Sequence, residues 1–187
     1  PITQPYLLYL GTIEPRKNLE ILIDAFAELK SEEKIPHKLI LAGEIGWKSE
    51  KLLEKVSTTN KRLSSPRQKS LIEVTGYIDE STKQKLYQNA EIFIYPSLYE
   101  GFGLPPLEAM SYGIPVICST GGSLKELFEN HALMFEPHDK ETLKKHILNL
   151  IKNKELAQIL SERGKKYAQQ FSWKKTAEKT LECIISA

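Results

Sequence analysis

Tyr95-Pro96-Ser97-Leu98-Tyr99-Glu100-Gly101-Phe102-Gly103-Leu104-Pro105-Pro106-Leu107-Glu108-Ala109-Met110 runs from an apolar strand end, through a loop with two glycines, into a helix. Pro105 and Pro106 are expected to open that helix, because the first helical N–H groups lack intrahelical partners anyway. Gly101 and Gly103 let the backbone approach a ligand closely. The amides around Phe102, Gly103 and Leu104 then point at whatever sits at the helix start. A phosphate there meets free N–H groups and the positive end of the helix dipole. An ordinary strand-to-helix turn has the same glycines, so the loop alone does not decide.

Outward from this loop, short apolar runs alternate with segments of helical period. The runs are Tyr6–Leu10, Lys38–Ala42, Ile72–Thr75, Ile92–Tyr95, Val116–Ser119 and Ala132–Phe135. Between them, Leu19, Leu22, Ile23, Phe26 and Leu29 form one helical stripe. Leu52, Leu53 and Val56 mark a second helix, and Leu86, Tyr87 and Ala90 a third that Asp79 or Ser81 caps. Residues 57–69 are polar, contain Pro66 and read as an exposed, mobile loop. The last quarter is helical, with stripes at Leu143, Ile147, Leu150 and Ile151 and at Leu156, Ile159, Leu160 and Tyr167. A final helix follows Ser172. Continuous apolar strands joined by helices predict an α/β fold, a Rossmann-like three-layer α/β/α domain with a mainly parallel six-stranded sheet. Residues 1–187 are expected to form one domain.

A second constellation follows the first strand, where open parallel sheets bind ligands. It is Gly11-Thr12-Ile13-Glu14-Pro15-Arg16-Lys17-Asn18. Arg16 and Lys17 are read as entering the first helix, where two cations oppose the dipole. An anionic ligand bridging this turn and the Gly103 loop would justify them; a solvated basic pair is the plainer alternative. Glu100 and Glu108 bracket the glycine loop. Glu108 is placed in the first helical turn, suited to the vicinal hydroxyls of a ribose. Glu100 faces the other end of the ligand. Dipole complementation for Glu108 and solvation for Glu100 are the structural alternatives. The loop is no dinucleotide fingerprint: Pro106 stands at the third glycine position, and Ser119-Thr120-Gly121 stands where an acidic residue is expected.

Composition narrows the classes further. Forty-one per cent of the 187 residues are hydrophobic, 27% are charged and the formal net charge is +2. Basic residues are scattered, and the densest group (Lys61, Arg62, Arg67, Lys69) has no interleaved aromatics, which argues against nucleic acid. Two cysteines, one of them (Cys118) in an apolar run, indicate no disulfide framework and fit a reducing, cytoplasmic setting. No run has the length of a membrane span. No signal peptide is evident, and the abrupt start at a strand points to a domain cut from something longer. No Asp-x-Asp pair, His-x-x-x-His or Cys-x-x-Cys spacing offers a metal site, and no lysine suggests a Schiff base. His37, His131, His138 and His146 read as solvated.

Together, Gly11…Arg16-Lys17-Asn18, Gly76-Tyr77-Ile78, the Tyr95–Met110 stretch, Gly113-Ile114-Pro115-Val116 and Phe171-Ser172-Trp173 resemble glycosyltransferase family 4, the retaining enzymes of the GT-B fold. The resemblance spans nearly the whole chain. It implies the C-terminal half of a GT-B fold, with the N-terminal acceptor domain and its catalytic histidine absent. It implies that Arg16 and Lys17 hold a diphosphate near Gly11, and that Phe102, Gly103 and Leu104 present amides to phosphate and sugar. Glu108 would bind ribose, Glu100 would lie beside the donor sugar, and Tyr77 and Ile78 would contact the base. Residues 171–187 would be a terminal crossover helix. No metal or other cofactor is required. The form Glu14-Pro15-Arg16-Lys17-Asn18 looks like bacterial mannosyltransferases of surface-polysaccharide synthesis. That favours GDP-mannose over a UDP-sugar as donor and a glycan or lipid-linked acceptor. It also allows a peripheral position at the inner face of the cell membrane. Glu80 could take two guanine donors while Lys83 reaches O6; two solvated residues at a helix start are the alternative. Glu129-Asn130-His131 departs from the Gly-Asp of many relatives and is expected to alter only a turn. A non-catalytic nucleotide-sugar-binding subunit and a GT-B epimerase remain rival readings.

Overall fold

The computed structural model describes residues 4–63 and 70–186. Its six strands are β1 (Tyr6–Leu10), β2 (Lys38–Ala42), β3 (Ile72–Val74), β4 (Ile92–Tyr95), β5 (Val116–Ser119) and β6 (Leu133–Phe135). They form one sheet in the order β3-β2-β1-β4-β5-β6, and every pair is parallel. The expected "mainly parallel" sheet is therefore parallel throughout. The strands are apolar at successive positions because helices cover both faces: Leu7, Leu8, Tyr9, Leu39, Ile40, Leu41, Phe93 and Ile94 are all inaccessible to solvent.

The helices are α1 (Leu19–Glu32), α2 (Glu50–Leu63), α3 (Glu80–Asn89), α4 (Leu104–Ser111), α5 (Leu124–Phe128), α6 (Lys140–Lys152), α7 (Lys154–Ala168) and α8 (Trp173–Ile185). The stripe Leu19, Leu22, Ile23, Phe26 and Leu29 of α1 is buried. Asp79 caps α3 by accepting from the Thr82 amide at 2.7 Å, and Ser172 caps α8 by accepting from Lys175. Two readings are corrected. Residues 57–63, expected in a loop, continue α2, because Val56 and Thr59 keep a buried face beneath the polar one. The remainder of that expected loop, 64–69, lies outside the described residues. The short helix α5 was not expected. α8 has no buried residue, although Trp173, Leu181, Ile184 and Ile185 are large and apolar.

The sheet order reverses between β1 and β4. At such a switch point the loops leaving two adjacent strands diverge to opposite faces and open a crevice. The loops after β1 and β4 are the two segments singled out in the sequence.

Candidate functional site

The loop after β1 is a separate 3-10 turn, Pro15–Lys17, and not the start of α1. Asn18, with φ +55°, breaks the chain between them. Arg16 and Lys17 therefore precede the helix, and their charge is balanced by side chains as well as by position. The Asn18 amide group bridges three segments, donating to the carbonyls of Pro96 (3.2 Å) and Pro137 (2.7 Å). The Leu98 amide donates to the Arg16 carbonyl at 2.9 Å. The β1 and β4 loops are thus tied by backbone and side chain together.

Lys17 is only 6% exposed and Glu100 only 9%. Lys17 Nζ lies 2.6 Å from Glu100 Oε1 and donates to the Tyr95 hydroxyl at 2.9 Å. Tyr95 in turn donates to Glu100 at 3.1 Å, and Arg16 Nη1 lies 3.0 Å from the same carboxylate oxygen. The solvated alternatives for Lys17 and Glu100 are excluded. Burial alone would raise the Glu100 pKa, but the hydrogen bonds from Lys17 and Arg16 overrule it and hold the carboxyl below its ordinary range. Burial likewise opposes the charge on Arg16, and its bonds to Glu100 and Glu14 more than restore it. Burial first, and then the charge of Glu100, push the Tyr95 phenol far up, so it stays neutral, accepting from Lys17 and donating to Glu100.

The glycine loop follows at once. Gly103 has φ +99°, and a Cβ there would sit 2.7 Å from Leu124 and 2.9 Å from Phe128. Only glycine fits, on both conformational and steric grounds. The unforeseen α5 supplies those two neighbours. Gly122 supports the loop from behind: a Cβ there would fall 2.3 Å from the Glu100 carbonyl, to which Ser123 donates twice. Among the described residues, the Phe102, Gly103 and Leu104 amides donate to no protein acceptor. Pro105 and Pro106 occupy the first turn of α4 as expected. Gly11 differs: its amide donates to the Ala42 carbonyl at 2.9 Å and is not available to a ligand.

Glu108 is the fifth residue of α4, so it stands in the second turn and not the first. Dipole complementation does not explain it. It accepts from the Tyr87 hydroxyl at 3.1 Å and lies 3.7 Å from Lys83. Lys83 is also paired with Glu80 at 2.9 Å, which raises its pKa. Glu80, Lys83 and Glu108 therefore form one group beside the loop, while Tyr77 stands 80% exposed and Ile78 packs against the core. Phe102, Leu104 and Glu108 also line an apolar cavity of about 490 Å³ between α4 and the start of α8. Arg16, Lys17 and Glu100 do not line it, and the unfilled amides mark the site better than this cavity does.

The histidine reading is corrected. His37 is buried and paired with Glu91 at 2.9 Å. His131 stacks on Tyr167 at 3.8 Å, and His146 is bonded to the Met134 carbonyl at 2.9 Å. Only His138 is exposed. Among the described residues no group of three or more His, Cys, Asp or Glu side chains could hold a metal ion, and no helix is long and apolar enough to cross a membrane.

A family model described as glycosyl transferases group 1 matches residues 1–167. The O-antigen chain mannosyltransferase B of Escherichia coli is 38% identical over 178 residues, covering 95% of this chain and 45% of that protein. The serotype-specific mannosyltransferase WbdA of Escherichia coli is 31% identical over 177 residues, covering 95% and 21%. Among solved structures, Anabaena HepE in complex with UDP-glucose superposes with a TM-score of 0.85, covering 99% of this chain and 50% of that one. Its identity is 20%, so that likeness is one of fold. The chain spans less than half the length of the two mannosyltransferases.

Proposed function

We propose that this chain, which belongs to the glycosyl transferases group 1 family, is the donor-binding half of a retaining mannosyltransferase. Residues 1–187 bind a nucleotide diphosphate sugar, with GDP-mannose favoured. A further domain of the same enzyme supplies the glycan or lipid-linked acceptor and the remaining catalytic groups, and the segment 171–187 crosses to it. The work is done at the cytoplasmic side, where the full-length enzyme meets the membrane peripherally.

The observation that carries this reading is the meeting of Lys17, Arg16 and Glu100 beside three undonated amides at the sheet's switch point. Cleaving the bond between sugar and diphosphate leaves negative charge on the departing oxygen. Arg16, Lys17 and the amides of Phe102, Gly103 and Leu104 are the donors for that charge. Glu100 stands beside the donor sugar. Glu108, held by Tyr87, accepts from the ribose, and Tyr77 and Ile78 flank the base. Glu80 and Lys83 read guanine: two carboxylate oxygens match its adjacent N1–H and N2–H donors, and the ammonium reaches O6. The names of the relatives support mannose.

Calorimetric titration of GDP, UDP and their nucleosides tests the reading. A charge-assisted hydrogen bond contributes about 1.5–3 kcal/mol. Arg16→Ala is therefore expected to weaken diphosphate binding by about ten- to a hundredfold and to leave nucleoside binding unchanged. Equal loss for both would mean a damaged fold. GDP is expected to outcompete UDP, with the preference lost in Glu80→Ala; equal binding of the two bases would remove Glu80 from base reading.

A further inference from the structure

The cation assigned to the diphosphate is already occupied in the folded chain. Arg16 Nη2 donates to Glu14 Oε1 at 2.7 Å, and Nη1 donates to the Tyr99 carbonyl at 2.8 Å beside Glu100. Two cations and two carboxylates make a cluster with no net charge, so an anion that reaches Arg16 competes there with carboxylates already in place, although the five N–H donors of the guanidinium are not all engaged. The two carboxylates are about equally buried, with side chains 14% and 11% exposed, but the cations they hold differ. Glu100 is buried, and removing it would strand Lys17 without a counter-ion. Glu14, whose own side chain is 14% exposed, holds with one oxygen the Arg16 side chain, which is 43% exposed, and its release would strand no buried cation. Its other oxygen accepts from the indole N–H of Trp47 at 3.1 Å.

Trp47 is 60% exposed beside the site. Its loop is fixed independently of Arg16: Ile13 pairs with Ile45, and the Gly46 amide donates to the Ile13 carbonyl at 2.9 Å. The Glu14–Trp47 contact can therefore persist when Arg16 turns away. We propose that Glu14 is the exchangeable counter-ion of Arg16. The donor diphosphate displaces it, and Trp47 retains the freed carboxylate at the rim. This inference rests on the reading that Arg16 binds the diphosphate.

The sign of the effect separates this role from simple positioning. A carboxylate that positions Arg16 weakens ligand binding when it is removed. A carboxylate that competes with the ligand strengthens binding when it is removed. Glu14→Gln keeps the shape and an acceptor for Trp47 while deleting the charge. In calorimetric titrations of this chain with GDP and UDP, Glu14→Gln is expected to bind about two- to fivefold more tightly, the scale of one partly exposed ion pair. Guanosine and uridine binding is expected to stay unchanged. Unchanged or weaker diphosphate binding, in a chain still sensitive to Arg16→Ala, overturns the exchange. Insensitivity to Arg16→Ala overturns the underlying assignment as well. A second readout uses Trp47 itself, which with Trp173 makes up the two tryptophans of the chain. In a Trp173→Phe background, Trp47 emission is expected to change with GDP or UDP and not with the nucleosides. Fixed emission during calorimetrically proven binding also overturns the displacement.

Discussion

Two pairs of a carboxylate with a buried basic residue sit at opposite ends of the same parallel sheet. His37 and Glu91 lie just before β2 and β4, at the amino ends of the strands; Lys17 and Glu100 lie after β1 and β4, at the carboxyl ends. Each sets a carboxylate against a buried basic partner distant in the chain. At the amino end Glu91 also receives Lys154, while Lys30 donates to the carbonyls of Ile35 and His37. No glycine adjoins that cluster, and its charges close on one another. At the carboxyl end Gly101 and Gly103 carry the chain straight from Glu100 into a row of undonated amides. Such a buried pair by itself therefore does not mark a candidate ligand site. Amides without a protein acceptor beside it distinguish the carboxyl end, where loops leave the strands at a switch point.

The comparison is broken most forcefully at Lys17. Lys17→Met leaves Glu100 buried with its principal partner gone, an arrangement that costs about 3 kcal/mol. Thermal unfolding is expected to move down by roughly 6–12 °C, with diphosphate binding lost as well. A variant that melts like the wild type would show that Arg16 alone suffices for Glu100.

The matching change at the amino end is Glu91→Ala. It strands a buried imidazole N–H and is expected to destabilise by about 1–3 kcal/mol. Nucleotide affinity should not move, and a measured loss of affinity would end the distinction between the two clusters.

Acid sharpens the contrast, because each pair fails in its own range. Burial, outweighing the Glu91 bond, holds the His37 pKa below its ordinary 6.5. Its folded value is the lower one, so its contribution is complete above about pH 6.5 and is lost as the pH falls through the folded pKa. Glu100 is also depressed, below 4.5, so its contribution survives to that range and is lost only in stronger acid. Denaturation midpoints between pH 7 and 5 should fall in the wild type and stay level in His37→Gln. An equal slope in both would remove His37 as the cause.

The smallest effect is expected from α8, which belongs to neither cluster and buries nothing. Amide exchange over 174–186 should be faster than over Leu143–Ile151. Equal protection would show that α8 docks on this domain, against its proposed crossing.

The strands were legible because a parallel sheet covered on both faces needs continuous apolar runs, and Tyr6–Leu10 or Ile92–Tyr95 admit no other reading. The helical tail of α2 was hidden by its polar outer face. Asn60 there looks like a loop residue, yet its side chain accepts from the Leu71 and Ile72 amides and donates to the Ile72 carbonyl. α5 is five residues long, too short to display a period. In the candidate site, the sequence let each charged residue be read as a ligand contact and showed none as a partner of another. Lys17 and Glu100 are 83 positions apart, and His37 and Glu91 are 54 apart, so only the sheet order brings them together. Gly122 and Asn18 brace the loops from behind, and one signal for Gly122 was present in the pair Gly121-Gly122, one residue past the end of β5.

The 83-residue separation also bears on how the chain comes to be made. During synthesis Lys17 emerges long before Glu100, and a lysine cannot enter a dry interior without its counter-ion. β1 and β2 can pair early, but the turn at Pro15–Lys17 must stay hydrated until β4 has been translated and has docked against β1. The candidate site is thus among the later parts of the molecule to consolidate, and a ribosome-bound chain halted before residue 100 would hold a partial sheet with its cationic turn still open to water.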